Sequence, residues 1–546
     1  MQNERSSRLL SLVAKATRAR AEGDLPAAVR YAEAAAKERL AHPTLLRIRA
    51  EALRDAGRLD AAGELLNRAL KLAPHDAAIV IDIGRLLLAE DRGAEAIEVL
   101  TKATALAPAS VEAWNALAAA CAGEGRTTDA RAAFRCAAHL APNDPAPRAD
   151  LAFLEARAGQ TDVAAKLAAE ALRLEPDHPV ATLALARVEV DGREFEAARV
   201  RLEPLLARGV LKVRQRQIAT HLLADALHGL GRADQAFELY GRMKQTFARR
   251  HARRFGTGGA VESHLAFLER LAGWFERQPA DAWRKTAPAS IGSPVREHVF
   301  LLGYLRSGVT LVETILASLP DVRVLEEGGT LATADLAFLK DDASLAHLEP
   351  LDQALADQAR TAYWQRVREA VPDFEGKVFV DMSPLYGIKL PMIARLFPQA
   401  RIVCCRRDPR DVVLSCYRRN FVANALTYQL TSVEGIARHY DAAMHLTERH
   451  LAALGLPVHV VGYEALVANF DERTRALAQF VGAEWTDAVR RFERTAAARE
   501  ISTPSASQVR RGLFDGSGQW RAYRGQLEPV LPALAPWVEK FGYEPS

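Results

Sequence analysis

Cysteine is scarce, with 5 among 546 residues: Cys121, Cys136, Cys404, Cys405 and Cys416. They form no C-x-x-C pair and lie in otherwise apolar runs, so reduced core thiols are expected, not a disulfide framework or a metal site. An apolar run of about 18 residues, the length of a membrane span, is also missing. Charges break up the N-terminal stretch MQNERSSRLLSLVAKATRAR, so neither export nor membrane insertion is expected. No charge sign dominates: 72 Lys+Arg minus 68 Asp+Glu gives +4. Such a balance gives no reason to invoke nucleic acid, and any anion binding has to be local to a pocket. The expectation is a cytoplasmic protein.

A chain of this length exceeds one ordinary core, so two to four domains are expected. The first half is alanine-rich and repeats. Ala28, Ala62, Ala96, Ala130, Ala164 and Ala198 are each 34 residues apart, and Pro74, Pro108, Pro142 and Pro176 keep the same step. Gly23, Gly57, Gly125 and Gly159 each precede their alanine by five, as Gly231 precedes Ala236 after a short insertion. This is the period of tetratricopeptide-type helix–turn–helix repeats. Alanine lets paired helices approach, glycine turns the chain, and proline stops the second helix. One repeat cannot bury its own apolar face, so the units stack into an all-α solenoid with a concave groove, placed at 8–250. A groove of this kind suits a peptide or protein partner.

Composition changes at RRHARRFGTGG, Arg249 to Gly259, and residues 251–294 read as a helical linker ending in the polar RKTAPASIGSPVREH. From 295 to 546 short apolar runs alternate with helical ones: HVFLL, KVFVD, ARIVCC and PVHVVGY are each followed by a helix-like stretch. That alternation predicts a three-layer α/β domain with a parallel sheet.

The segment VFLLGYLRSGVTLVETILASLP, Val299 to Pro320, reads as a strand, a turn with two glycines and an amphipathic run. Gly303 and Gly308 have phosphate-loop spacing, but Val309 stands where nucleotide hydrolysis needs lysine. Backbone N–H groups and a helix start there suit an oxyanion, and Arg306 adds a charge. Taken alone the pattern is equally that of a plain strand–turn–helix. A second segment, RIVCCRRDPRDVVLSCYRRNF, runs from a strand into a proline-marked turn, with Ser415 eight residues after Arg407. Both could meet one phosphate; the alternative is a solvated helix start.

Together these segments carry a resemblance. LRSGVTLVETILASLPDV resembles the 5′-phosphosulfate loop of sulfotransferases, and CRRDPRDVVLSCY resembles their 3′-phosphate segment. VVGYEALV is similar to a Y-E-x-L segment of that family, and SASQVRRGLFDGSGQWRAY to its late basic loop and tryptophan. With the repeats, the chain resembles tetratricopeptide-repeat sulfotransferases, with a P-loop-like fold over 295–546. The resemblance implies transfer of a sulfuryl group from 3′-phosphoadenosine-5′-phosphosulfate (PAPS) to an acceptor hydroxyl or amine, with no metal required.

Carried over by position, Arg306, Ser307, Gly308, Val309 and Thr310 form the phosphosulfate loop, Arg306 also stabilising the reacting oxygens. Arg407 and Ser415 hold the 3′-phosphate, with Arg510, Arg511 and Gly512 in the same pocket and Trp520 packing the lid or adenine. Glu327, 21 residues after Arg306 in VRVLEEGGT, resembles in position the catalytic glutamate of tyrosylprotein sulfotransferases and is the expected general base. Its competitor is Glu326, and a solvated loop is the other reading. The spacing hints at tyrosine as acceptor.

Two positions depart from the pattern. Val309 replaces the first threonine of the loop's usual doublet, and Met382, in FVDMSPLYG, stands where related sequences often carry lysine. Lys377, Lys389, Arg510 and Arg511 are candidate replacements for that charge. The departures leave a second expectation: a catalytically degenerate nucleotide-binding domain on a protein-interaction scaffold.

Overall fold

The computed structural model describes residues 2–279, 282–283, 292–499, 501, 503 and 505–545. Part of the linker read at 251–294, namely 280–281 and 284–291, lies outside the described residues. Contacts divide the chain into two compact units, Met1–Leu222 and Leu223–Ser546.

The first unit is built from antiparallel helix pairs, such as Pro43–Asp55 with Leu59–Leu72 and Val111–Gly123 with Thr127–Leu140. Asp24, Asp76, Ser110 and Asp144 cap helix starts by accepting a backbone N–H, each cap contributing about 1 kcal/mol. All six in-register alanines are fully buried; a larger side chain would hold the helices apart. The glycines of the period are left-handed, with φ between 74° and 81° at Gly23, Gly57, Gly125 and Gly159. The two gaps in that series, Asp91 and Arg193, keep the same conformation at φ 59° and 63°. The turn is therefore uniform even where the glycine signal is missing.

The second unit holds a five-stranded, all-parallel sheet in the order β2-β3-β1-β4-β5. Its strands are β1 (Glu297–Leu302), β2 (Val322–Glu326), β3 (Val378–Met382), β4 (Arg401–Arg406) and β5 (Val458–Gly462). Four of them are the apolar runs read from the sequence; β2 is an edge strand that the reading passed over. Alternation splits β1 between two faces. Val299 and Leu301 pack with Val312, Ile315 and Leu477 on one, and Phe300 meets Tyr363 and Phe397 on the other. Each such side chain contributes about 1.5–3 kcal/mol by leaving water.

Central β1 is followed by α1 (Val309–Ala317), and β4 by α2 (Pro409–Tyr417). The chain departs to one side of β1 for β2 and β3 and to the other for β4 and β5. The crevice at such a switch, beyond the carboxyl ends of the strands, is where open α/β sheets bind ligands.

Candidate functional site

Between Leu302 and Val309 the chain must reverse into α1, and the backbone crowds itself. A Cβ at Gly303 would lie 2.5 Å from Ser307 Oγ and 2.8 Å from the Cys405 carbonyl oxygen, so only glycine fits. Ser307 staples the loop: its Oγ donates to the Tyr304 carbonyl at 2.7 Å and accepts the Tyr304 N–H at 3.2 Å. Arg306 and Gly308 are left-handed, at φ 67° and 98°. No side chain caps the start of α1, leaving the helix's positive end to an incoming anion. Val309 is buried in the core beside Val299 and Leu301. Thr310 Oγ1 lies 3.1 Å from Thr503 Oγ1.

Arg306 reaches across to α2 and to the segment around Ser505 and Gln508. Its Nε donates to Ser415 Oγ at 2.9 Å, one Nη to Gln508 Oε1 at 2.7 Å, and the other to the Ser505 hydroxyl. Those partners are neutral. Burial, and then the neighbouring cations Arg419 and Arg407, pull the guanidinium down to about 9. Arg407 donates to the carbonyls of Arg306 at 3.2 Å and Gly516 at 2.6 Å, and lies 4.5 Å over the Tyr463 ring. Its buried Nε has no hydrogen-bond partner among the described residues.

Arg306, Arg407 and Ser415 thus converge on one cleft, together with Arg418, Arg419 and Tyr463, and Gly512 is on its wall. No carboxylate lines it among the described residues. Free space is only about 60 Å³, below the roughly 300 Å³ or more of a small-molecule site, because Ser505 and Gln508 hold Arg306 from the far wall.

Sequence reasoning passed over Arg418 and Arg419, although they lie three and four residues after Ser415, where helical geometry puts them on its side of the turn. Other expected positions lie outside the cleft. Ser307 is committed to its own loop. Arg510 donates to the carbonyls of Ala496 at 3.3 Å and Arg499 at 3.5 Å, and Arg511 is exposed. Trp520 is buried against Arg410, whose guanidinium is 4.0 Å from its ring; it is a core anchor. Met382 is fully buried in the cluster around α1. Lys377, at the amino end of β3, pairs with Asp321 at 3.1 Å, and Lys389 pairs with Asp335 at 2.7 Å.

Glu327 directly follows β2. Its N–H donates to the Met382 carbonyl at 2.8 Å, and its backbone is left-handed at φ 46°. Register aligns Glu326 with Met382 and Met382 with Leu301, so two inter-strand steps, about 10 Å, separate the Glu327 end of β2 from the phosphate-type loop. The surrounding protein, and then the Glu326 carboxylate, raise the Glu327 pKa above its ordinary value. Thr330, three residues on, returns into the core, where its hydroxyl donates to Asp381 at 2.6 Å. Glu326 instead accepts the Thr503 N–H at 3.2 Å.

Residues 298–487 match the model of the sulfotransferase family, and 13–77, 53–121 and 155–211 match tetratricopeptide repeat models. The chain joins tetratricopeptide repeats to a sulfotransferase-family domain. It is 28% identical over 263 residues to an uncharacterized protein of Aquifex aeolicus, covering 46% of this chain and 34% of that one, and so spans about a third of that relative's length. It is 26% identical over 267 residues to protein-tyrosine sulfotransferase 1 of Danio rerio, covering 45% of this chain and 72% of the relative. A solved thermophilic TPR protein of Thermus thermophilus is 22% identical, covers 33% of this chain and 99% of its own, and has a TM-score of 0.31. No group of three or more His, Cys, Asp or Glu among the described residues is arranged to hold a metal, and none of their helices is long and apolar enough to cross a membrane.

Proposed function

We propose that the second unit transfers a sulfuryl group from PAPS to an acceptor hydroxyl, with tyrosine on a peptide or protein the favoured acceptor and the repeat groove helping to bind it. The observation that carries this reading is the cleft itself: four arginines converge, and among the described residues the hydrogen-bond partners of Arg306 are neutral. A buried cation with neutral partners is costly, and a nucleotide with phosphate at both ends would compensate Arg306 and Arg407. Relatedness to protein-tyrosine sulfotransferase 1 supports the acceptor class.

In this mechanism the phosphosulfate lies over the 306–310 loop and the start of α1. Arg407 and Ser415 hold the 3′-phosphate, joined by Arg418 and Arg419. Glu327 takes the acceptor proton as the oxygen attacks sulfur in line. The bond from sulfur to the bridging oxygen breaks, and the electron pair leaves on 3′-phosphoadenosine-5′-phosphate. Arg306 stabilises the charge that grows on that oxygen. Entry of the nucleotide requires the wall bearing Ser505 and Gln508 to give way, exchanging two neutral contacts for charged ones.

The test is calorimetric titration of 3′-phosphoadenosine-5′-phosphate into wild type and Arg407→Ala, with ATP as control. Micromolar binding that the variant loses, with ATP much weaker, supports the reading; no binding by folded wild type overturns it. Met382 gives substance to a second reading, nucleotide binding without turnover, since its side chain brings no charge and lies in the core. Tight product binding combined with no loss of label from sulfur-labelled PAPS to any acceptor would favour that reading.

A further inference from the structure

Residues 223–255 continue the repeat pattern, with Gly231 five before Ala236, yet they belong to the compact unit that contains the sheet. Their second helix, Ala233–Phe255, buries Lys244. The ammonium donates to the carbonyls of Arg419 at 2.8 Å and Cys416 at 3.3 Å, with the Phe421 ring 5.4 Å away. No carboxylate pairs with it among the described residues, and burial lowers its pKa to about 8.

Lys244 sits at the carboxyl end of α2, where the dipole is negative and where the Cys416 carbonyl already accepts the Arg419 N–H at 3.3 Å. Satisfying these carbonyls does not require a charge; water or a glycine turn would do. A buried ammonium is an expensive cap, and what distinguishes this place is the load it carries: Ser415 in the last turn of α2, and Arg418 and Arg419 directly after it. The same helix pair grips those residues elsewhere. Asp225 takes the Tyr240 hydroxyl at 2.6 Å and faces Arg419 at 3.4 Å and Arg418 at 3.9 Å. Phe237 stacks on Tyr417 with ring centroids 4.6 Å apart. At Gly241 a Cβ would come within 2.9 Å of the Tyr417 hydroxyl.

We propose that this last helix pair is a positioning element of the anion cleft, Lys244 fixing the end of α2 and Asp225 steadying Arg419, so that Ser415, Arg418 and Arg419 meet one phosphate together. Lys244 touches no ligand in this arrangement and is a positioning residue. The inference rests on the proposed donor site and assigns the helix pair to the 3′-phosphate half of it.

The experiment measures the affinities of full-length wild type and Lys244→Met for 3′-phosphoadenosine-5′-phosphate by calorimetry and for 5′-AMP by displacement. The expected result is a roughly tenfold fall in the preference for the 3′-phosphorylated ligand, with 5′-AMP affinity unchanged. A merely structural role would weaken both ligands alike. An unchanged preference in a variant that still binds tightly overturns the inference and leaves the donor site standing. Failure of wild type to bind the 3′-phosphorylated ligand overturns the proposed function and this inference with it. Should Lys244→Met not fold, Lys244→Gln keeps two N–H donors for the same carbonyls, lacks the charge, and is read in the same way.

Discussion

Arg306 and Ser415, 109 residues apart, are joined Nε to Oγ at 2.9 Å, and this single bond ties the loop after β1 to the helix after β4. Ser415→Ala removes a neutral hydroxyl from a buried guanidinium and from the phosphate proposed to lie between them. A hydrogen bond to a charged group contributes about 1.5–3 kcal/mol. The expected outcome is about 10- to 100-fold weaker binding of 3′-phosphoadenosine-5′-phosphate by calorimetry, with the melting temperature of the free protein lowered by about a few degrees. Equal affinity in the variant would remove Ser415 from the site.

Glu327 acts as a base only when ionised, and its pKa is raised by its surroundings and by Glu326. Turnover of labelled PAPS should therefore fall on acidification with a midpoint above about 4.3, the usual glutamate value. Glu327→Gln should lower kcat by about 100-fold or more while leaving product affinity intact. A variant of normal kcat would hand the role to another group.

The solenoid was legible because its signals are local: a fully buried alanine and a left-handed turn recur in its units, the first demanding a small side chain and the second favouring glycine. The sheet was nearly so, since four strands are each built on a mostly apolar run of three or four residues. β2 escaped because Arg323 and Glu326 break up its five residues, so this edge strand reads as loop. The cleft was half legible. Arg306, Arg407 and Ser415 have motif spacing, whereas Arg418 and Arg419 become cleft residues only through the fold, and Trp520 and Arg410 find each other in the core for the same reason. Val309 and Met382 looked like losses of function in the sequence; both side chains point into packed apolar surroundings.

Arg193 occupies the left-handed position that glycine fills at Gly23, Gly57, Gly125, Gly159 and Gly231. A side chain there costs about 1–2 kcal/mol, partly offset by the greater freedom of glycine in the unfolded chain. Arg193→Gly should stabilise the first unit by about 0.5–1 kcal/mol, read as a higher midpoint of its thermal transition. A lower midpoint would mean that the arginine's own contacts outweigh the backbone strain.

Asp381 offers a test with a definite sign. It is fully buried at the end of β3, where it accepts hydroxyls from Thr330 at 2.6 Å, Tyr363 at 2.8 Å and Tyr386 at 3.0 Å. Desolvation raises its pKa to about 6, against the opposing pull of those hydrogen bonds. At pH 7.5 it is ionised in both folded and unfolded chains, and burial makes the folded one pay. As pH falls through about 6 the folded state takes up the proton first, and it keeps gaining stability until the unfolded carboxyl titrates near 3.9. Asp381→Asn has no such titration. Between pH 7.5 and 5, wild type should therefore gain roughly 1 kcal/mol relative to the variant, measured on the thermal transition that 3′-phosphoadenosine-5′-phosphate raises. A gap that moves the other way would mean that the three hydroxyls outweigh desolvation, holding the Asp381 carboxylate ionised below its ordinary range.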